Sequence, residues 1–181
     1  ITDGNNCIAI GFQTMKDGNV RHNANDSIAI GYRALYSLTT GNGNICIGAY
    51  TGYGTSTGAY NTVLGQFAGQ SLNASPTWNT LVGYYAGRNI SGAGDNQNVW
   101  VGGEAGDTIT SGIRNLCLGT GVDTTAADTD NAIVLGYAIT GGGNELNFGK
   151  PSNVVTNTFT SDANFSRSSD RRKKREIKDD I

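Results

Sequence analysis

Charge, proline, histidine and cysteine are all scarce in this chain, and no apolar run is long. Of 181 residues, 15% are charged, two are proline, three are cysteine and one is histidine, His22. No stretch approaches the roughly 20 apolar residues of a membrane-spanning helix, and no signal peptide is visible. A single histidine without a cluster of cysteines or carboxylates argues against a metal site and against most hydrolase triads. We therefore expect no cofactor, no metal and no membrane insertion.

The three cysteines do not form a disulfide framework by their number or spacing. Cys7, Cys46 and Cys117 are odd in number and far apart, which fits assembly in a reducing cytoplasm. Cys46 and Cys117 occupy strand positions where other repeats have alanine or valine, so we expect them to be small buried hydrophobes.

Glycine and asparagine are abundant instead, and they mark an internal repeat. There are 27 glycines and, by count, 20 asparagines, a composition typical of a β protein with many corners. The block Ile8-Ala9-Ile10-Gly11 returns eight times. Its further copies are Ile28-Ala29-Ile30-Gly31, Ile45-Cys46-Ile47-Gly48, Thr62-Val63-Leu64-Gly65, Thr80-Leu81-Val82-Gly83, Val99-Trp100-Val101-Gly102, Leu116-Cys117-Leu118-Gly119, Ile133-Val134-Leu135-Gly136 and, degraded, Leu146-Asn147-Phe148-Gly149.

The spacing of the closing glycines predicts a solenoid. Successive glycines lie 20, 17, 17, 18, 19, 17, 17 and 13 residues apart. A period near 17 indicates stacked copies of one supersecondary unit. Each block is too short for a helix and suits a short strand. At about 4.8 Å per strand, nine stacked strands give a rod about 40 Å long.

Both faces of each predicted strand are apolar, so both must be covered. The residues one and three before each glycine share one face, and the middle residue of each block points the other way. We expect one face to line the interior of the coil. We expect the middle positions to be buried against identical coils around an axis, because self-association supplies the second cover most simply.

Asparagine precedes most strands and is expected to turn the corner there. Asn44, Asn61, Asn79, Asn98 and Asn115 lie four residues before a closing glycine, and Asn6, Asn131 and Asn144 lie five before it. Asparagine tolerates left-handed backbone, and stacked asparagines can satisfy one another's hydrogen bonds. Glycine supplies the permissive backbone at the other end of the strand.

Repeated Asn-x-Ile-Ala-Ile-Gly followed by Ala-Gly resembles the left-handed parallel β-roll of trimeric autotransporter adhesin heads, and more closely the related repeats of phage tail fibres. The resemblance covers about residues 4 to 149. It implies an all-β, left-handed parallel β-roll or β-solenoid that assembles as a homotrimer.

Aromatic residues follow several of the glycines, and two interpretations compete. They are Phe12, Tyr32, Tyr50, Phe67, Tyr84, Tyr85 and Tyr137. A sugar-stacking surface for a glycan receptor is the functional interpretation. We favour the structural one, in which a second strand packs these rings inward or against a neighbouring chain. Tyr84 and Tyr85 are adjacent, so a strand would point one of them outward, and they are the candidate receptor-binding residues.

The C-terminal residues are basic and carry a specific motif. Residues 1–166 hold six basic and eleven acidic groups, a balance of 6 − 11 = −5, whereas seven of the 13 basic residues lie from Arg167 onward. The order Ser169-Asp170-Arg171-Arg172-Lys173-Lys174, then Ile177, resembles the start of the autocleaving intramolecular-chaperone domain of phage tail fibres and tailspikes.

That resemblance implies a self-cleavage site at Ser169 and Asp170, with Ser169 and Lys174 as a catalytic dyad. A serine hydroxyl needs a base, and a lysine amine can serve only when burial or neighbouring cations lower its pKa. Lys173 and Arg175-Glu176 depart from the family pattern. The sequence stops at Ile181, so we expect this chain, without a complete chaperone domain, to be inert.

These observations predict three segments and one function. Residues 1–150 form the β-roll, 151–168 an extended connector or stalk, and 169–181 the start of the chaperone domain. Because the chain opens on Ile1 inside a repeat, we expect it to be a piece of a longer polypeptide. We expect a structural and receptor-binding segment of a virion tail fibre or tailspike, assembled in the host cytoplasm, with no nucleic-acid partner.

The partners expected are two further copies of the chain and a host cell-surface receptor, with a glycan as one candidate. The first alternative keeps the fold but makes it the head of a bacterial trimeric surface adhesin. The second is a β-solenoid lyase or acyltransferase, which would need clustered acids, arginines or a histidine on one strand face. The repeats show no such cluster, so we expect no enzyme beyond the single-turnover self-cleavage.

Overall fold

The computed structural model describes residues 6–16, 24–73, 75–92 and 94–160 of the chain. Within these ranges the secondary structure is entirely β, without a helix. Short parallel strands stack in register into a β-solenoid of about eight turns. The predicted all-β solenoid with a repeat of about 17 residues is therefore confirmed.

The main sheet has ten strands, of which nine are parallel, and each of these nine coincides with one of the predicted blocks. Their register pairs equivalent positions of neighbouring repeats, such as Ala29 with Cys46 and Leu81 with Trp100. In chain order the strands are β1 (Ile8–Ile10), β2 (Ile28–Ile30), β3 (Ile45–Ile47), β4 (Thr62–Leu64), β6 (Thr80–Val82), β8 (Val99–Val101), β9 (Leu116–Leu118), β11 (Ile133–Gly136) and β13 (Glu145–Lys150).

Two smaller sheets lie elsewhere on the solenoid. β5 (Pro76–Thr77) pairs in parallel with β7 (Gly94–Asp95), and β10 (Asp123–Thr124) pairs in parallel with β12 (Thr140–Gly141). The rest of each coil consists of turns, so the main sheet is the regular wall of the solenoid.

The interior of the solenoid is lined by the middle residue of each strand. From Ala29 to Val134 these middle residues are fully buried within the single chain. Ala9, in the first coil, is exposed. The expectation that the middle positions face a partner is wrong: they form the core, and the two flanking residues of each strand point outward. Alternation of side chains was predicted correctly, but the assignment of the two faces was reversed.

The closing glycine of each strand is required by close backbone approach. These glycines have positive φ, for example +135° at Gly48 and +138° at Gly83. A Cβ added at Gly48 would lie 2.8 Å from the carbonyl carbon and oxygen of Gly65 in the next coil. The other closing glycines meet the following glycine's carbonyl in the same way, and Gly149 meets Asn153. No other residue fits this column without moving the backbone.

A ladder of buried asparagines runs along the opposite end of the strands. The backbone N–H of Asn61 donates to Oδ1 of Asn44 at 3.1 Å, and Asn79, Asn98 and Asn115 each repeat this bond with the asparagine one coil before. Asn115 Oδ1 in turn accepts from the N–H of Ala132. The side-chain amides also donate to loop carbonyls, as Asn98 does to Gly112. The predicted stacking of asparagines is confirmed.

Interior volume is balanced between the strand and the following turn. Trp100, the largest fully buried side chain, packs where a Cβ on Gly87 or Gly106 would collide with the indole. In the coil of β2 the strand contributes only Ala29, and Leu35 at the position equivalent to Gly106 is fully buried. In these two coils the interior is therefore filled from different elements, by the strand at Trp100 and by the turn at Leu35.

The main sheet ends in a hairpin. After Pro151 and Ser152 the chain reverses, and β14 (Asn153–Thr158) pairs antiparallel with β13. The expected boundary at residue 150 therefore falls at the turn of this hairpin. Residues 153–158 are extended, as a connector would be, but they are paired with the solenoid.

Candidate functional site

The outward side of the main sheet is a continuous apolar surface, which we call the outer face. It consists of the residues one and three before each closing glycine. Ile10 is 58% exposed, Ile47 40%, Leu118 38% and Phe148 40%. Thr62 and Thr80 are its polar members within the nine strands. Monomeric proteins seldom expose an apolar strip of this length, so such a strip marks an interaction surface.

An aromatic ladder borders the outer face just after the closing glycines. Phe12 and Tyr32 stack at 5.8 Å between ring centroids, Tyr50 and Phe67 at 5.4 Å, and Phe67 and Tyr85 at 5.0 Å. These residues belong to turns, and Tyr50, Phe67 and Tyr85 have left-handed backbone with φ of 57° to 59°. The predicted second strand that would pack the rings inward is therefore wrong.

Tyr84 and Tyr85, the candidate receptor-binding residues, form the last rungs of this ladder. Their ring centroids are 4.2 Å apart in an edge-to-face arrangement, and Tyr84 is 48% exposed. The Arg88 guanidinium lies 4.6 Å from the Tyr85 ring centroid. Hydrogen bonding with Tyr85, followed by burial, raises the pKa of Tyr84.

The ladder limits how a sugar could use these rings. Pyranose rings pack on an aromatic face, whereas the faces of Phe67 and Tyr85 are stacked on each other with an interplanar angle of 16°. Tyr84 is different, because the equivalent position of the next coil is Gly103. A Cβ there would meet only Thr120, at 3.8 Å. The space beside Tyr84 is therefore open.

A second aromatic pair lies at the other border of the outer face. Tyr60 and Trp78 are 51% and 56% exposed, and their rings stack at 4.6 Å. Both lie five residues before a closing glycine, and their φ values are 58° and 62°. This pair was not among the residues predicted from the sequence. Its signal was available, since both aromatics occupy the repeat position that holds Asn6, Asn131 and Asn144 in other coils.

An arginine and two aspartates form the charged group next to the ladder. Arg88 and Asp107 make an ion pair at 3.3 Å. Burial, and then the charge of Asp123, raises the pKa of Asp107. Asp123 accepts hydrogen bonds from the N–H and hydroxyl of Thr108 and from the N–H of Thr124. Its oxygens are thus engaged in holding two loops together.

The two interior cysteines are unreactive thiols. Cys46 and Cys117 are fully buried, as expected, and all three cysteines are free thiols. Burial raises the pKa of Cys46 strongly and that of Cys117 to about 12. Neither forms a thiolate near neutral pH, which is the nucleophilic form of cysteine.

The remaining predicted residues lie outside the described ranges. Ser169, Asp170, Lys174 and His22 are all beyond them. Among the residues the structure does describe, no group of three or more histidine, cysteine or acidic side chains could hold a metal ion. The same residues include no helix that could cross a membrane.

Comparison of the chain with protein families, with curated proteins and with solved structures gives no match. The structure thus defines the chain as a parallel β-solenoid with an exposed apolar face.

Proposed function

We propose that the chain is a structural and binding segment of a homotrimeric fibre, of the kind found in phage tail fibres and tailspikes. The observation that carries this proposal is the outer face, an apolar surface on all nine parallel strands. Three copies with this face turned inward bury it around a common axis. Closed cyclic assemblies are the usual way in which a protein covers such a surface.

Host attachment is the second part of the proposal. Tyr84 is 48% exposed and has open space beside it above Gly103, which makes it the receptor candidate, and Arg88 supplies a charged group nearby. A ring beside charged side chains suits a glycan, because the C–H face of a sugar packs on the ring and its hydroxyls bond the charges. The self-cleavage dyad Ser169 and Lys174 remains a prediction from sequence.

Oligomeric state tests the proposal directly. Sedimentation or light scattering of the chain should give three copies. Val82→Glu with Val101→Glu places carboxylates on the outer face without altering the interior, because both side chains point outward. This variant should sediment as a monomer with unchanged β circular dichroism. Thr125→Glu, on an exposed loop away from the main sheet, is the matched control and should remain trimeric. A monomeric wild-type chain with folded β structure would refute the proposal.

A further inference from the structure

The two borders of the outer face carry side chains that complement each other coil by coil. We call the residues five before each closing glycine the leading column, and those two after it the trailing column. Resting on the proposed self-assembly, we infer that neighbouring copies meet in register, with the leading column of one copy packed against the trailing column of the next. The partner for these borders is therefore a second copy of this chain, at the same height.

Both columns present their side chains at corners outside the core. Left-handed φ values recur in them, for example 56° at Asp26 and 53° at Arg33 in the coil of β2. The members of one coil are separated by a strand and its ends, a span of more than about 10 Å within the same chain. Their complementarity therefore has no use inside one copy.

The polar members match in charge and hydrogen-bonding capacity. Asp26 and Arg33 belong to the coil of β2, and Gln97 and Glu104 to the coil of β8. Between copies these give an ion pair and an amide–carboxylate pair. Asp26 and Glu104 are exposed, and Asp26 also accepts a hydrogen bond from Asn6 Nδ2 at 3.0 Å. Arg33 is half-buried: its Nε donates to Gln13 at 2.6 Å, and its guanidinium lies 5.2–5.9 Å from three tyrosine ring centroids of its own chain.

The aromatic members match in the same coils. Tyr60 and Phe67 flank β4, whereas Trp78 and Tyr85 flank β6. An in-register contact therefore places the exposed Tyr60–Trp78 stack against the Phe67–Tyr85 stack of the next copy. Such ring pairs are favourable beyond the apolar area that they bury.

The two columns also complement each other in side-chain size in coils where one of the two residues is a glycine. Arg114 in the leading column shares its coil with Gly121 in the trailing column, and Gly43 shares its coil with Tyr50. In those two coils the contact between copies is filled by one large side chain, Arg114 or Tyr50, opposite a glycine.

Cyclic symmetry fixes the height at which copies meet. A closed ring is generated by rotation alone, so no translation along the solenoid is possible when its axis parallels the symmetry axis. The competing arrangement is a shift by one coil, which would bring Arg114 of one copy to Glu104 of the next. That arrangement loses the Asp26–Arg33 pairing and leads to an open, staggered assembly.

Engineered disulfides distinguish these arrangements in the full chain. Gln97→Cys with Glu104→Cys puts a thiol on each border of the same coil, using two exposed residues. Glu104→Cys with Arg114→Cys is the matched control, since it represents the one-coil shift with residues equally exposed. A disulfide requires Cα atoms within about 7 Å, so cross-linking reports register. The native Cys46 and Cys117 are buried and do not compete, and the part-exposed Cys7 is changed by Cys7→Ser in every variant.

After mild oxidation, the matched pair should give a covalent closed trimer on a denaturing gel, forming at least tenfold faster than with the shifted pair. The single variants should give none; mixed together, Gln97→Cys and Glu104→Cys chains should give dimers containing one chain of each. A trimer by light scattering that cross-links through neither pair would overturn the inference and leave the proposed trimer standing. An open assembly that cross-links through the shifted pair would overturn both. A folded monomer would remove both.

Discussion

Trp100 shows how one residue sets the local volume of the interior. It is fully buried between turns that carry Gly87 and Gly106, and its indole N–H has no hydrogen-bond partner. The side chain therefore contributes by packing alone. The glycines cannot expand to fill the space, so loss of the ring leaves a cavity.

We expect Trp100→Ala to lower the free energy of unfolding by about 3–5 kcal/mol, the usual cost of a large aromatic cavity. Trp100→Phe should cost much less, because it keeps a ring and removes the unpartnered N–H. Denaturant unfolding followed by circular dichroism measures both, with Thr125→Ala as the exposed control. Equal stability of the alanine variant and the wild type would show that the interior collapses freely around this site.

At the scale of the element, the asparagine ladder ties each strand to the next. Asn79 forms hydrogen bonds with both neighbouring coils. Its backbone N–H donates to Asn61 Oδ1, and its own Oδ1 accepts from the backbone N–H of Asn98. Its side-chain amide also donates to the carbonyl of Thr77. One side chain thus satisfies buried polar groups of two adjoining coils.

We expect Asn79→Ala to destabilise the chain by about 1–3 kcal/mol for each buried group left unsatisfied. The change should be largest near the substitution, where the backbone N–H of Asn98 should exchange its hydrogen faster than in the wild type. Asn73→Ala, at an exposed asparagine outside the ladder, should leave exchange at that amide unchanged. Unaltered protection of the Asn98 amide in Asn79→Ala would mean that the ladder is dispensable.

The strands and corners of this fold can be predicted from the sequence, because the backbone geometry at the two ends of each strand requires glycine at one end and favours asparagine at the other. The sequence failed to assign the two strand faces, because both are apolar: Ile45 and Ile47 look no less like core than Cys46. It also failed for the rings of Phe67 and Tyr85. Strand periodicity does not apply in a turn where φ is positive at every second residue, such as Gly65, Phe67 and Gly69.

At the scale of the whole molecule, the basic end gives the sharpest prediction. On the proposed dyad, a chain followed by a complete chaperone domain should be cut next to Ser169, with Lys174 acting as the base for the Ser169 hydroxyl. Intact mass should show the shorter product in the wild type and the full-length chain in Ser169→Ala. Ser161→Ala is the control, since Ser161-Asp162 lacks a lysine five residues later and should still be cut. Cleavage that persists in Ser169→Ala would contradict the dyad.

The middle residues of the strands, which form a column through the interior of the solenoid, differ in size from one coil to the next. Along the sheet the core residue changes from Ala29 to Cys46, Val63, Leu81, Trp100, Cys117 and Val134, whereas the turn position beside it is glycine in the coils of β3, β4, β6 and β8. A perfectly uniform repeat could slip by one coil during folding at little cost, because its backbone bonds would simply re-form one step along. Here a slip by one coil toward the C-terminus would place Trp100 beside Asp123, which occupies the position that Gly106 holds in the coil of Trp100. Because the interior side chains differ in size from coil to coil, one register of the coils is more stable than the shifted ones.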